Sequence, residues 1–119
     1  MEGKILIGCR EEASRKQLMK LFSGRGLSLC TLVNDVDFLL EVLERDYQVI
    51  IYDMEMSAFD GLKMVKILRK IRPKVALVVI SSDPCKEIGG KILQEGVAHY
   101  AVKPIHTEAI EQAVFAVLN

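Results

Sequence analysis

The 119-residue chain has no tryptophan, only three prolines and only three cysteines. Cys9, Cys30 and Cys85 are odd in number, far apart and in neither a CxxC nor a zinc spacing. That pattern fits buried or incidental thiols in a reducing compartment better than a disulfide framework. No charge of one sign prevails: sixteen Lys+Arg balance sixteen Asp+Glu, which leaves no uniform basic field to draw the protein to nucleic acid or anionic lipid. No apolar run approaches the roughly 18 residues of a membrane span. Met1-Glu2-Gly3-Lys4-Ile5 lacks the long apolar stretch of a signal peptide, and a cytoplasmic location is expected. No internal repeat, linker or low-complexity stretch divides the chain. What is present is ordinary globular composition, 50% hydrophobic and 27% charged, at the common size of one domain with one folded core.

The apolar pattern alternates between strand and helix periods. Lys4 to Gly8 is a short apolar run, and Leu18, Leu21 and Phe22 then recur at helical spacing. Gly24 and Gly26 offer a helix stop, and Leu27 to Val33 alternates in part, as an edge strand does. Asn34 or Asp35 can cap a second helix, for which Val36, Leu39, Leu40 and Leu43 supply an inner stripe at i, i+3, i+4, i+7. Val49 to Tyr52 is continuously apolar and β-branched, the mark of a strand covered on both faces; it runs directly into Asp53. A third helix carries Leu62, Met64, Val65, Leu68, Arg69 and Ile71 and ends before Pro73. Val75 to Ile80 is a second fully buried strand. The fourth helix, Cys85 to Gln94, shows Ile88 and Ile92 on one face and carries Gly89-Gly90, which makes it the least stable helix expected. His99 to Val102 is the last strand, and Ile110, Ala113, Val114 and Val117 form the inner stripe of the final helix. Five strands alternating with five helices predict an α/β, doubly wound parallel sheet of five βα units.

In open α/β sheets functional groups gather at the carboxyl ends of the strands. Those positions hold Cys9 and Arg10, Asp53, Ser81-Ser82-Asp83, and Lys103-Pro104: a carboxylate, a hydroxyl and an ammonium. An Asp ends a buried strand and Asp60-Gly61 follows seven and eight residues later; Ser81 ends the fourth strand; Tyr100 stands three residues before Lys103-Pro104. In these motifs the sequence resembles the receiver domain of two-component response regulators, over its whole length. The resemblance implies a flavodoxin-like receiver fold with strand order 2-1-3-4-5 and a single receiver domain over residues 1–119, stand-alone or belonging to a longer regulator. It implies that Asp53 accepts a phosphoryl group from a histidine kinase or phosphotransfer protein, that Lys103 pairs with the phosphoryl oxygens, and that Ser81 moves to bond another of them. Tyr100 then follows inward, and the face of the fourth helix, fifth strand and fifth helix changes toward a partner, an output domain or a second copy. Enzymatic activity is expected to extend no further than self-catalysed phosphoryl transfer and hydrolysis.

One pair departs from the family. Receivers end the first strand with two adjacent acids that help to hold Mg²⁺, and here Cys9-Arg10 stand there, with Glu11-Glu12 one step beyond. The resemblance leaves Asp53 and the backbone carbonyl of Glu55 as metal ligands, with Glu11, Glu12 or the Glu55 side chain as further oxygen donors. A guanidinium beside Asp53 is expected to fill the metal's charge space, pair with that carboxylate and lower metal affinity; alternatively its head lies in water and the pocket is open. Two readings follow: a phospho-accepting receiver with a weakened Mg²⁺ site, and a pseudo-receiver that is not phosphorylated and works by protein–protein interaction. A flavodoxin-like cofactor binder is disfavoured because no glycine- or Ser/Thr-rich phosphate loop follows the first strand. Taken singly, these residues also have ordinary roles. Asp60 is read as a helix cap, Gly61 as a turn former, Phe59 as local packing or a contact to a kinase or neighbouring subunit, and His99 and His106 as surface or capping residues without metal spacing. Cys9 is read as buried, or as redox-sensitive should Arg10 lower its pKa.

Overall fold

The computed structural model describes residues 3–118; Met1, Glu2 and Asn119, which the one-domain reading takes in, lie outside the described residues. The elements in chain order are β1 (Gly3–Gly8), α1 (Glu12–Phe22), β2 (Leu27–Leu32), α2 (Asp35–Glu44), β3 (Val49–Asp53), α3 (Gly61–Ile71), β4 (Ala76–Ser81), α4 (Lys86–Gln94), β5 (His99–Val102) and α5 (Thr107–Leu118). A one-turn 3₁₀ segment, Met54–Met56, follows β3. The strands form one parallel sheet in the order β2-β1-β3-β4-β5, as expected.

Strand alternation sends side chains to two cores. Leu6, Ile50, Tyr52, Leu77 and Val79 pack under α2, α3 and α4, while Ile5, Ile7, Val49, Ile51, Val78 and Ile80 pack under α1 and α5. Both faces of the central strands are covered, which is why their sequences are continuous apolar runs. Chain reversal after α1 uses the left-handed backbone of Gly24 and Gly26, at φ 75° and 71°.

The expected stripe of α2 is corrected. Val36, Leu40 and Leu43 are 68%, 47% and 56% exposed, whereas Phe38 and Val42 are fully buried and Leu39 lies at the margin. Two anchors set this rotation. Asn34 caps the helix by accepting from the Asp37 N–H at 2.9 Å, and Asp35 accepts from the Ser57 hydroxyl at 2.7 Å and the Ala58 N–H at 3.1 Å. Phe38 is thereby turned inward to stack on Tyr52, with ring centroids 5.7 Å apart. It presses on β1 so closely that a Cβ on Gly8 would stand 2.6 Å from the ring. In α5, Val117 is likewise exposed while Ile110 and Val114 are buried; Phe115 turns to Phe22 and beneath the Arg25 guanidinium instead.

At the amino end of the sheet, two arginines of the α3 C-terminus satisfy carbonyls that helix and strand ends leave unpaired. Arg69 donates to Glu95 and Gly96 beyond α4 and to Arg72, Pro73 and Val75. Arg72 donates to Val42, Leu43 and Arg45 at the end of α2 and pairs with Asp46 at 2.8 Å. The carboxyl end of the sheet is left for chemistry.

Candidate functional site

Strand register brings the expected groups to one pole. Gly8 lies beside Tyr52, Asp53 beside Ile80, and Ser81 beside Val102, so Cys9, Asp53, Ser81 and Lys103 emerge from four neighbouring strand ends. Asp53 is 1% exposed and closes the all-buried run of β3. A carboxylate so buried requires partners, and both oxygens have them. Oδ1 accepts from the Glu55 N–H at 2.9 Å. Oδ2 lies 2.8 Å from the Lys103 ammonium and 3.4 Å from the Cys9 thiol, which donates to it.

Lys103 follows β5, and its side chain is 15% exposed. Burial pulls its pKa down, but the hydrogen bond and charge of Asp53 and the nearby Glu11 carboxylate outweigh that and raise it overall. Glu11 Oε1 stands 3.4 Å from the ammonium and accepts from the Ser14 hydroxyl. These contacts, Ser14 first, hold the Glu11 carboxyl below its ordinary pKa.

Cys9 is fully buried, and its thiol is pushed up to about 12, chiefly by burial and then by the charge and hydrogen bond of Asp53. Of the two readings of Cys9, the buried one holds: Arg10 turns to Glu55, and Cys9 is a neutral donor to Asp53.

Arg10 does not pair with Asp53 either, contrary to expectation. Its exposed guanidinium donates from Nη2 to the backbone carbonyl of Glu55 at 3.4 Å. Arg15 donates to the carbonyls of Cys9 and Arg10 at 3.4 and 3.1 Å and braces the turn between them. Arg10, Glu11, Glu55, Ser82 and Lys103 line one cleft of about 400 Å³. Glu12 turns away to pair with Lys16, and the Glu55 carboxylate accepts from the Ser82 hydroxyl.

A divalent cation does not fit these residues. Of the ligands the resemblance leaves, Asp53 is engaged by Lys103 and Cys9 and the Glu55 carbonyl accepts from Arg10; at the family's acidic positions, position 10 carries a positive charge and position 9 a protonated thiol where a hard cation needs oxygen. Among the described residues no three His, Cys, Asp or Glu side chains converge as a metal cluster.

Ser81 is 2% exposed, and its Oγ accepts from the Asp83 N–H at 3.0 Å. Tyr100 is half-buried, lies along α4 with a ring carbon 3.1 Å from where a Gly89 Cβ would stand, and donates to the Asp83 carbonyl at 3.4 Å. Asp60 caps α3 by accepting from the Leu62 N–H at 2.9 Å. Gly61, expected as a turn former, has no left-handed φ; a Cβ there would meet Met54 at 2.7 Å, so close packing is its reason. Phe59 is 43% exposed. His99 and His106 join no metal cluster among the described residues.

The sequence profile of the response regulator receiver domain matches residues 10–115, and the chain belongs to that family, the receivers of two-component systems. The probable C4-dicarboxylate response regulator DctR of Bacillus subtilis is 30% identical over 91 residues, covering 76% of this chain and 40% of DctR. The chain spans less than half the length of the curated relatives it matches. The fold is shared with a CheY-like receiver domain from Methanospirillum hungatei at a TM-score of 0.87 and 15% identity, covering 98% of this chain and 93% of that one. A Burkholderia pseudomallei response regulator, solved with a phosphorylated aspartic acid, calcium ion and citrate, shares it at 0.81 and 19% identity, covering 98% of this chain and 66% of that one. Among the described residues no helix is long and apolar enough to cross a membrane.

Proposed function

We propose that this receiver takes a phosphoryl group onto Asp53 from a histidine kinase or phosphotransfer protein and passes the signal to a partner or output domain. The observation that carries the reading is the Lys103 ammonium, 2.8 Å from the buried Asp53 Oδ2. In the transfer, an Asp53 oxygen attacks phosphorus, the bond from phosphorus to the donor breaks, and the donor leaves with that electron pair. Lys103 then exchanges a carboxylate for phosphoryl oxygens as its partner. As the Ser81 hydroxyl turns to donate to a phosphoryl oxygen, it bears on the Asp83 N–H from which it accepts, in the segment that Tyr100 also holds. The α4–β5–α5 face lies beyond that segment and is the proposed surface for a partner or a second copy. A cytoplasmic setting goes with such a donor. Activity is confined to the transfer and its hydrolysis.

One observation favours the second reading, a pseudo-receiver that acts by binding alone: three donors already engage the Asp53 oxygens. The readings separate on incubation with acetyl phosphate followed by intact mass. Gain of one phosphoryl group, absent in Asp53→Asn and reduced in Lys103→Ala, is the expected result. No gain from acetyl phosphate or from candidate kinases, with the chain folded, leaves the binding module.

A further inference from the structure

We propose that Arg10 supplies, from within the chain, the second positive charge required by a phosphoryl group on Asp53, so that this receiver is phosphorylated without a divalent cation. The inference rests on the reading of Asp53 as acceptor. An aspartyl phosphate brings about two negative charges and three non-bridging oxygens, and Lys103 answers only one charge. Arg10 lines the same cleft as Lys103, and its planar fork of donors suits phosphoryl oxygens.

Arg10 is free to serve. Among the described residues it forms no salt bridge, and its bond to the Glu55 carbonyl, at 3.4 Å and exposed, is long and readily exchanged. The two acids of the cleft are turned to other groups: Glu11 to Ser14 and Lys103, Glu55 to Ser82. Arg15 holds the backbone carbonyls of Cys9 and Arg10, so the backbone that carries Arg10 is braced next to Cys9, which itself meets Asp53. A metal ion in this cleft would have to displace Arg10 from Glu55 and then sit against its charge. With acetyl phosphate as donor the step balances without metal or proton. An Asp53 oxygen bonds to phosphorus, the acyl oxygen–phosphorus bond breaks, and acetate leaves with the electron pair, while Lys103 and Arg10 hold the phosphoryl oxygens.

The test is labelling of the full chain by acetyl phosphate, followed by intact mass in EDTA and in Mg²⁺. The variants are Arg10→Ala, Arg10→Lys and the pair Cys9→Asp with Arg10→Asp. Equal labelling of the unaltered chain in both media is expected. In EDTA, Arg10→Ala should slow labelling by about 100-fold, the effect of removing one fixed oxyanion donor, and Arg10→Lys by less. The acidic pair should label only in Mg²⁺ and take up Mg²⁺ in a calorimetric titration where the unaltered chain does not. Circular dichroism checks that each variant is folded; position 10 is exposed, so Arg10→Ala is expected to fold. Labelling of the unaltered chain that stops in EDTA, or Arg10→Ala that labels as fast as the unaltered chain there, overturns the role of Arg10 and leaves Asp53 as acceptor. No labelling of the folded, unaltered chain in either medium, from acetyl phosphate or from candidate kinases, overturns both.

Discussion

Ser81 and Tyr100 hold one residue from two sides. Ser81 Oγ accepts from the N–H of Asp83 and Tyr100 donates to its carbonyl, while the Asp83 side chain accepts from the Cys85 N–H at the start of α4. The route from strand ends to helix is thus three hydrogen bonds through one residue. Tyr100→Phe removes one of them. Because that bond is exposed, global stability is expected to change by less than about 1 kcal/mol, while amide hydrogen exchange over residues 86–89 rises. Unchanged exchange there would show that Tyr100 does not restrain α4.

Gly89 and Gly90 are adjacent in α4 and differ in what surrounds them. A Cβ at Gly90 meets open space, whereas one at Gly89 meets the Tyr100 ring at 3.1 Å. Gly90→Ala is expected to raise stability by about 0.5–1 kcal/mol, the ordinary helix gain. Gly89→Ala should gain less, and Gly89→Ala combined with Tyr100→Ala should recover the gain as a coupling in a double-mutant cycle. Urea unfolding of these three variants and of Tyr100→Ala alone measures the gains; equal gains at the two glycines would contradict the ring contact.

The rotation of α2 makes opposite claims for neighbouring apolar residues. Phe38→Ala opens a hole between Gly8 and Tyr52 and is expected to cost about 3–5 kcal/mol. Leu40→Ala, on the exposed side, should stay within about 0.5 kcal/mol. Urea midpoints that reversed this order would restore the stripe read from spacing.

Cys9 gives a pH dependence with a definite sign. Its pKa rises from 9.0 to about 12 on folding, so the folded state favours the thiol. The stabilisation is fully present below pH 9 and is lost as pH rises through about 12. Stability of the unaltered chain should therefore fall more steeply above pH 9 than that of Cys9→Ala. At pH 8, iodoacetamide should modify the exposed Cys85 and spare Cys9 until the chain is unfolded; rapid modification of Cys9 in the folded chain would remove it from its place beside Asp53.

The strands were legible because β1, β3 and β4 are covered on both faces and must be largely apolar runs; their order came from the family resemblance. The convergence of Asp53, Ser81 and Lys103 was legible because each stands at the carboxyl end of a strand, two of them closing buried runs and Lys103 following the half-buried edge strand β5. The face of α2 was not. Val36, Leu40 and Leu43 satisfy the helical period, yet Asp35 bonds to Ser57 and Ala58, more than twenty residues away, and turns Phe38 inward. The course of Arg10 was equally hidden, since its partner is a backbone carbonyl at Glu55, and carbonyls leave no mark on residue type. Cys9 beside Asp53 could be placed near the pocket, but its donor role depends on burial that spacing does not report.

Arg69 ties the far end of α4, through the carbonyls of Glu95 and Gly96, to the turn that leads into β4. The near end rests on Asp83. A helix fastened so unevenly would, if it tilts, turn about Arg69 as a fulcrum. The nine residues Lys86–Gln94 span about 13 Å at 1.5 Å per residue, so a tilt of about 10° about that fulcrum would carry Lys86 by about 2 Å while Gln94 barely moves. A displacement that enters at the strand ends through Asp83 would thus be passed to the outer surface near Lys86 and die away toward the opposite pole.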